Sequence, residues 1–283
     1  MQLQSAKERF EKQGIKLAAI SYDSPAILLD FAKRHNIEFP LLADQDSKVI
    51  RSFDVLNAEA KGMTKGMAHP GFFYLDEGGV IREKYFETKY TNRFTANNVI
   101  GKLFPELTLE VSRTVEAPHR QLTLSQSDHI VAPGSRVSLI VEVQLPPDVH
   151  VYSPGVKGYK PIQLVLHTSG QIEPAPVIYP TSKILYLEAI KEQVPVFEGK
   201  FRITQDVTIP ASKAADGIRA VFSAGKTVSI TGELQYQACD KTICYTPHVG
   251  AGEMGVKGSG PGPPPISREY STQVVTGTGA SSK

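Results

Sequence analysis

The apolar pattern of this chain changes character once, near residue 105, and that change limits the folds open to it. Before it, helical spacing and short buried runs alternate. After it, only short strand-like runs remain, recurring about every ten residues with proline and glycine between them. One layered core does not serve both patterns. The 283 residues therefore read as roughly two domains, since a domain takes about 100–200 residues.

Residues 1–104 carry the mixed pattern. Leu3, Ala6 and Phe10 follow helical spacing, and Gly14 ends that helix. Ile15–Ser21 reads as a buried strand. Ser24 and Pro25 open a second helix as N-cap and first helical residue, with Ile27, Leu28, Phe31 and Ala32 on one side. A strand over Phe39–Asp44 and a short helix over Ser47–Phe53 follow. Phe72–Asp76 and Val80–Phe86 form a hairpin turned at Glu77-Gly78-Gly79, and a last helix covers Thr95–Leu103. The order α-β-α-β-α-β-β-α predicts an α/β sheet with helices on both faces.

Residues 106–255 read as all-β. Strand candidates include Leu107–Val111, Arg136–Gln144, Val149–Ser153, Ile162–Leu166, Ala175–Ile178, Lys200–Thr208, Gly217–Ser223, Thr227–Cys239 and Cys244–Val249. Short strands at that spacing predict a sandwich or barrel. Residues 256–283 are rich in Gly, Pro, Ser and Thr and are expected to be disordered.

Composition excludes some functions. The formal net charge is +2, and no basic stripe interleaved with aromatics occurs, so nucleic acid is not an expected partner. No apolar run reaches the roughly 18 residues of a membrane helix. The first residues are polar and amphipathic rather than a secretory signal, so export is inferred only from the redox reading below.

The chain has only two cysteines, Cys239 and Cys244, joined by a polar four-residue connection at the end of a long strand. Such a loop returns an antiparallel strand and brings the two sulfurs face to face. A bond closing so small a loop stabilises little, because the gain grows with loop length. A redox couple is a better use of it. A structural hairpin disulfide and two free thiols are the alternatives. A metal site lacks ligands: two sulfurs at this spacing, with His248 nearby, do not make a set of four. No cofactor is expected.

Tyr236, Gln237, Cys239, Cys244 and Pro247 form a run Tyr-Gln-x-Cys…Cys-x-x-Pro. It resembles the N-terminal periplasmic domain of the thiol:disulfide interchange protein DsbD, over roughly residues 115–250. The resemblance implies an immunoglobulin-like β-sandwich. It implies that Cys239 and Cys244 are the catalytic pair, with Cys244 attacking and Tyr236, Gln237, Tyr245 and Pro247 flanking. It also implies a cap over the cysteines, here Ser182–Glu188, with Tyr186 and Leu187 as shielding residues. Partners would be thioredoxin-fold proteins by disulfide exchange, and a membrane electron-transfer protein, in the periplasm or another extracytoplasmic space. The cap sequence and the shorter cysteine spacing depart from the family pattern.

Residues 1–103 resemble the later part of an AhpC/TSA, peroxiredoxin-like redoxin domain of thioredoxin fold. The segments are Phe10–Ser24, Phe39–Asp44 and His69–Asp76. That fold opens with a strand and a cysteine-bearing turn, and no cysteine precedes Cys239. The expectation is a partial thioredoxin-like domain truncated at its start; a redox-dead scaffold is the alternative. Pro70 falls where thioredoxin folds place a cis-proline. The rival functions are an antioxidant enzyme whose catalytic cysteine is missing from this fragment, and a non-enzymatic β-sandwich adaptor with a structural disulfide.

Overall fold

The computed structural model describes residues 2–87, 89, 91–107, 112–117, 119–167, 172–188, 191–211, 227–258 and 272–277. The strand candidate Gly217–Ser223 and most of Leu107–Val111 lie outside the described residues. Two compact units form. The first comprises residues 1–106 and 134–136 with the C-terminal strand; the second comprises 107–133 and 137–260.

In the first unit, α1 (Gln2–Glu11) buries Leu3, Ala6 and Phe10, the three residues its spacing predicts. Gly14 then turns the chain at φ 75°, a conformation that glycine adopts freely. β1 (Ile15–Ser21) follows. α2 (Pro25–His35) starts at Ser24, whose hydroxyl accepts from the Ile27 amide. Leu28, Phe31 and Ala32 are half-buried there, whereas Ile27 is exposed. β2 (Leu41–Ala43) leads into α3 (Lys48–Ser52). The Asp44 carboxylate accepts from the Val49 and Ile50 amides at 3.2 and 2.8 Å and so caps α3, while Ser47 at the N-cap position makes no side-chain capping bond. β3 (Gly71–Leu75) and β4 (Ile81–Phe86) form the expected hairpin, followed by β5 (Arg93–Phe94) and α4 (Ala96–Leu103), with Thr95 as N-cap. Ile50, Val55, Ala68 and Phe73 make the core beneath the sheet. No described peptide bond is cis, which corrects the cis-proline expectation for Pro70. The trans form is the lower in energy unless the surroundings hold the other isomer.

The second unit contains β6 (Ser112–Ala117), β7 (Arg120–Gln126), β8 (Ile130–Val131), β9 (Ser135–Gln144), β10 (His150–Tyr152), β11 (Gln163–His167), β12 (Glu173–Ile178), β13 (Lys183–Leu187), β14 (Glu192–Glu198), β15 (Lys200–Thr208), β16 (Thr227–Tyr236), β17 (Ala238–Cys239) and β18 (His248–Gly258). One sheet runs β12-β15-β9-β7-β6 and a second β11-β16-β18-β8. Alternate residues of both point inward: Val137 and Leu139 of β9 and Val207 of β15 meet Val228 and Ile230 of β16 and Val256 of β18. Leu122, Leu124, Val141, Val143, Ile203 and Leu234 extend that interior. Each fully buried aliphatic side chain contributes about 1.5–3 kcal/mol. The result is the predicted immunoglobulin-like sandwich. A smaller sheet, β13-β14-β10-β17, carries Cys239.

The tail differs from expectation. Residues 256–258 continue β18, and β19 (Thr272–Gly277) lies between β1 and β3 of the first unit. It pairs antiparallel with β1, Ile15 opposite Gly277, and parallel with β3, Gln273 opposite Phe72. A sheet gap with unpaired amides and carbonyls on both sides is a template for any β-forming segment. Thr272-Gln273-Val274-Val275-Thr276 is such a segment, and the surrounding low-complexity composition hid it.

Candidate active site

The cysteines sit where the chain changes sheets. β16 belongs to the sandwich and ends at Tyr236; β17 starts two residues later in the smaller sheet, paired with β10. Gln237 occupies the break, and its Nε2 donates to the Tyr245 carbonyl at 3.1 Å. Two backbone bonds close the loop beyond: the Tyr245 amide to the Ala238 carbonyl and the Asp240 amide to the Ile243 carbonyl, both 2.9 Å. Cys239 and Cys244 face each other as an antiparallel pair and are joined by a disulfide, their Cα atoms 4.0 Å apart.

Asp240 fixes this loop. Its Oδ1 accepts from the Thr242 amide and hydroxyl, both at 2.7 Å, and from the Ile243 amide at 2.8 Å. Its Oδ2 accepts from the Tyr245 hydroxyl at 2.7 Å. The backbone donor of Ile243, then Tyr245 and Thr242, hold the carboxyl far below its ordinary range. Tyr245 is pushed up mainly by donating to Asp240. Its ring stacks on His119 at 3.7 Å. The Lys241 ammonium turns to Asp148, 2.7 Å away.

The two sulfurs differ in environment. Cys239 is 1% exposed, within a cluster of Tyr152, Val194 and Val196 backed by Leu185 and Leu187, whereas Cys244 is exposed. The Tyr152 hydroxyl lies 3.8 Å from Cys244 Sγ. The Tyr152 ring stacks on Tyr159 at 4.3 Å, and the Tyr159 hydroxyl donates to Glu192 at 2.5 Å. Burial, then the charge of Glu192, pushes the Tyr152 phenol above its usual pKa, so it stays protonated as a donor. Across the ladder from Cys239 stands His150.

The structure thus brings Cys239, Cys244, Gln237 and Tyr245 together, with Leu187 against the buried side. Tyr236 lies in the sandwich core, where the Arg120 guanidinium sits 4.0 Å over its ring, and Pro247 is exposed between the loop and β18. Ser182–Glu188, taken from the resemblance as a cap, is largely strand β13. Its Tyr186 is 52% exposed, opposite in direction to Leu185 and Leu187. Pro70 belongs to the other unit. Tyr152, Tyr159 and His150 escaped the sequence reading: Tyr152 and Cys244 are 92 positions apart, and no local spacing links them. Among the described residues no cluster of His, Cys, Asp or Glu suits a metal ion.

Residues 120–251 match the family described as thiol:disulfide interchange protein DsbD, N-terminal. Residues 1–84 match the AhpC/TSA family. Peroxiredoxin Bcp of Escherichia coli strain K12 is 30% identical over 91 residues, which are 32% of this chain and 58% of that protein. The chain therefore spans little more than half the length of this curated relative. Among solved structures, the N-terminal periplasmic domain of ScsB from Proteus mirabilis is 14% identical, with a TM-score of 0.35, over 51% of this chain and 49% of that one. The reduced DsbD N-terminal domain of Neisseria meningitidis is 10% identical, with a TM-score of 0.29, over 48% and 86%. No helix among the described residues is long and apolar enough to cross a membrane.

Proposed function

We propose that this chain exchanges disulfides with protein partners through Cys239 and Cys244. The observation that carries this is the asymmetry of the pair: one sulfur is open to attack and the other is held in the protein. A partner thiolate attacks Cys244 Sγ, the Cys239–Cys244 bond breaks, and Cys239 leaves as a thiolate. The partner's second thiolate then attacks the sulfur bound to Cys244. The partner departs oxidised, and two electrons remain on the pair. Run backwards, the same steps oxidise it.

A partner must present a reactive sulfur on a shape that reaches Cys244, which suits thioredoxin-fold proteins. A membrane electron-transfer protein is a further candidate donor. The site belongs in an extracytoplasmic space such as the periplasm, where a disulfide persists between turnovers. The family match over residues 120–251 supports this reading. Residues 1–106 contain no cysteine, so the exchange chemistry of these 283 residues rests on Cys239 and Cys244.

Redox titration of the intact chain against glutathione and dithiothreitol, followed by alkylation and mass measurement, tests the proposal. The pair should open and close at a potential above about −300 mV. A lower potential would make the disulfide structural and the chain an adaptor.

A further inference from the structure

We propose that His150 is the hydrogen-bond donor that holds the Cys239 sulfur as a thiolate when the Cys239–Cys244 bond opens. The inference rests on the exchange reading above and adds a residue to it.

His150 and Cys239 are directly opposed in the β10–β17 ladder, so their side chains leave the same face. Opposed Cβ atoms in such a pair lie about 4.5–5.5 Å apart, within reach of an imidazole. His150 is 4% exposed, and its Nε2 is buried with no hydrogen-bond partner among the described residues. An unpaired buried nitrogen is costly, and such a group needs a reason. In the oxidised state the Cys239 sulfur carries no charge. Reduction puts a negative charge on that buried atom, which then requires a donor. The unpaired nitrogen and the atom that needs it stand across one rung of the ladder.

The groups facing His150 agree with a neutral ring. On its other side Glu198 of β14 is its ladder partner, with Lys183 at 3.6 Å from that carboxylate. Asp240 follows Cys239, its carboxylate engaged by the loop. On β10 itself the Tyr152 ring stands 5.4 Å away at 85°. Burial lowers the imidazole pKa, and the charges of Glu198 and Asp240 only partly raise it again. A neutral imidazole carries one N–H, and the tautomer with that proton on Nε2 fills the role.

The step balances without an added reagent. A partner thiolate forms a bond to Cys244 Sγ, the Cys239–Cys244 bond breaks, and its electron pair goes to Cys239 Sγ. His150 donates a hydrogen bond to that sulfur and keeps its proton. The partner's second thiolate displaces Cys244, which takes a proton from water. In oxidation the held Cys239 thiolate attacks the mixed disulfide.

The test uses the intact chain and the variants His150→Phe and His150→Gln. Two quantities are read: the rate of reduction by dithiothreitol, and the pH at which the reduced protein gains thiolate absorbance. A hydrogen bond to a charged group supports a loss of roughly ten- to hundredfold in rate for His150→Phe, with thiolate formation moved to higher pH. His150→Gln keeps an N–H near the Nε2 position and should recover most of both. Equal rates and equal titrations in all three proteins overturn the proposal. If His150→Phe does not fold, the imidazole nitrogen NMR shifts of the unaltered chain decide: Nε2 should move on reduction, and an unmoved Nε2 overturns the assignment. A native pair that dithiothreitol cannot open counts against disulfide exchange itself. One that opens equally fast in every variant counts against His150 alone.

Discussion

Tyr152 holds its hydroxyl 3.8 Å from the sulfur of Cys244, and its ring, 2% exposed, is kept there by the stacked Tyr159. The exposed cysteine thus has a fixed O–H neighbour, just as the buried one has an imidazole across the ladder. Tyr152→Phe keeps the packing and deletes only that O–H. Its reduction by dithiothreitol should slow several-fold, the size of one neutral hydrogen bond. Stopped-flow kinetics check this, and an unchanged rate would mean that the hydroxyl does not act on Cys244.

Acid should loosen the cysteine loop before it unfolds the sandwich. The Asp240 carboxyl is depressed in the folded protein, first by the Ile243 amide and then by Tyr245 and Thr242. A group with a lowered folded pKa stabilises fully above its unfolded value, near 4, and that stability is lost as pH falls toward the folded value. Amide exchange at Thr242 and Ile243 should therefore quicken as pH drops below about 4, relative to its intrinsic rate. Asp240→Ala should show that loss of protection already at neutral pH.

Gly250 is required by a side chain on another strand. A Cβ there would run into the Arg120 guanidinium, which rests over Tyr236. Arg120 is buried, and burial brings its pKa down to about 10. Gly250→Val should cost the second unit about 1–3 kcal/mol, the usual penalty for overpacking. Urea unfolding followed by tyrosine fluorescence measures it, with Ile203→Ala as a reference at about 2–5 kcal/mol.

Sequence exposed what is local and hid what is assembled. Ser24, Gly14 and the Phe72–Asp76 hairpin strand were legible because caps, left-handed turns and alternation act within a few residues. The cysteine hairpin was legible for the same reason. β18 was read only as far as Val249, because Gly250, Gly252, Gly255 and Gly258 have poor strand propensity. Those at 250 and 252 are dictated by Arg120 and Leu124 from β7, which no local rule anticipates. The resemblance implies a cap over Ser182–Glu188, a role that no local pattern in those residues signals. In the fold, residues 183–187 pair with β14, which sequence spacing does not reveal. His150 and Tyr152 read only as members of a short strand. What makes them chemistry is the neighbour that β17 brings alongside.

β19 gives the first unit an unusual dependence. Its strands β1 and β3 are bridged by residues 272–277, encoded after the whole second unit. Shortening the chain to residue 258 should strip protection from the slot-facing amides of β1 and β3, seen by hydrogen exchange, while leaving the Cys239–Cys244 bond intact. Residues 272–277 leave the ribosome only after the whole second unit has been made. The sheet begun by β1 and β3 therefore cannot close while that unit is being synthesised, and until then it waits with an open seam.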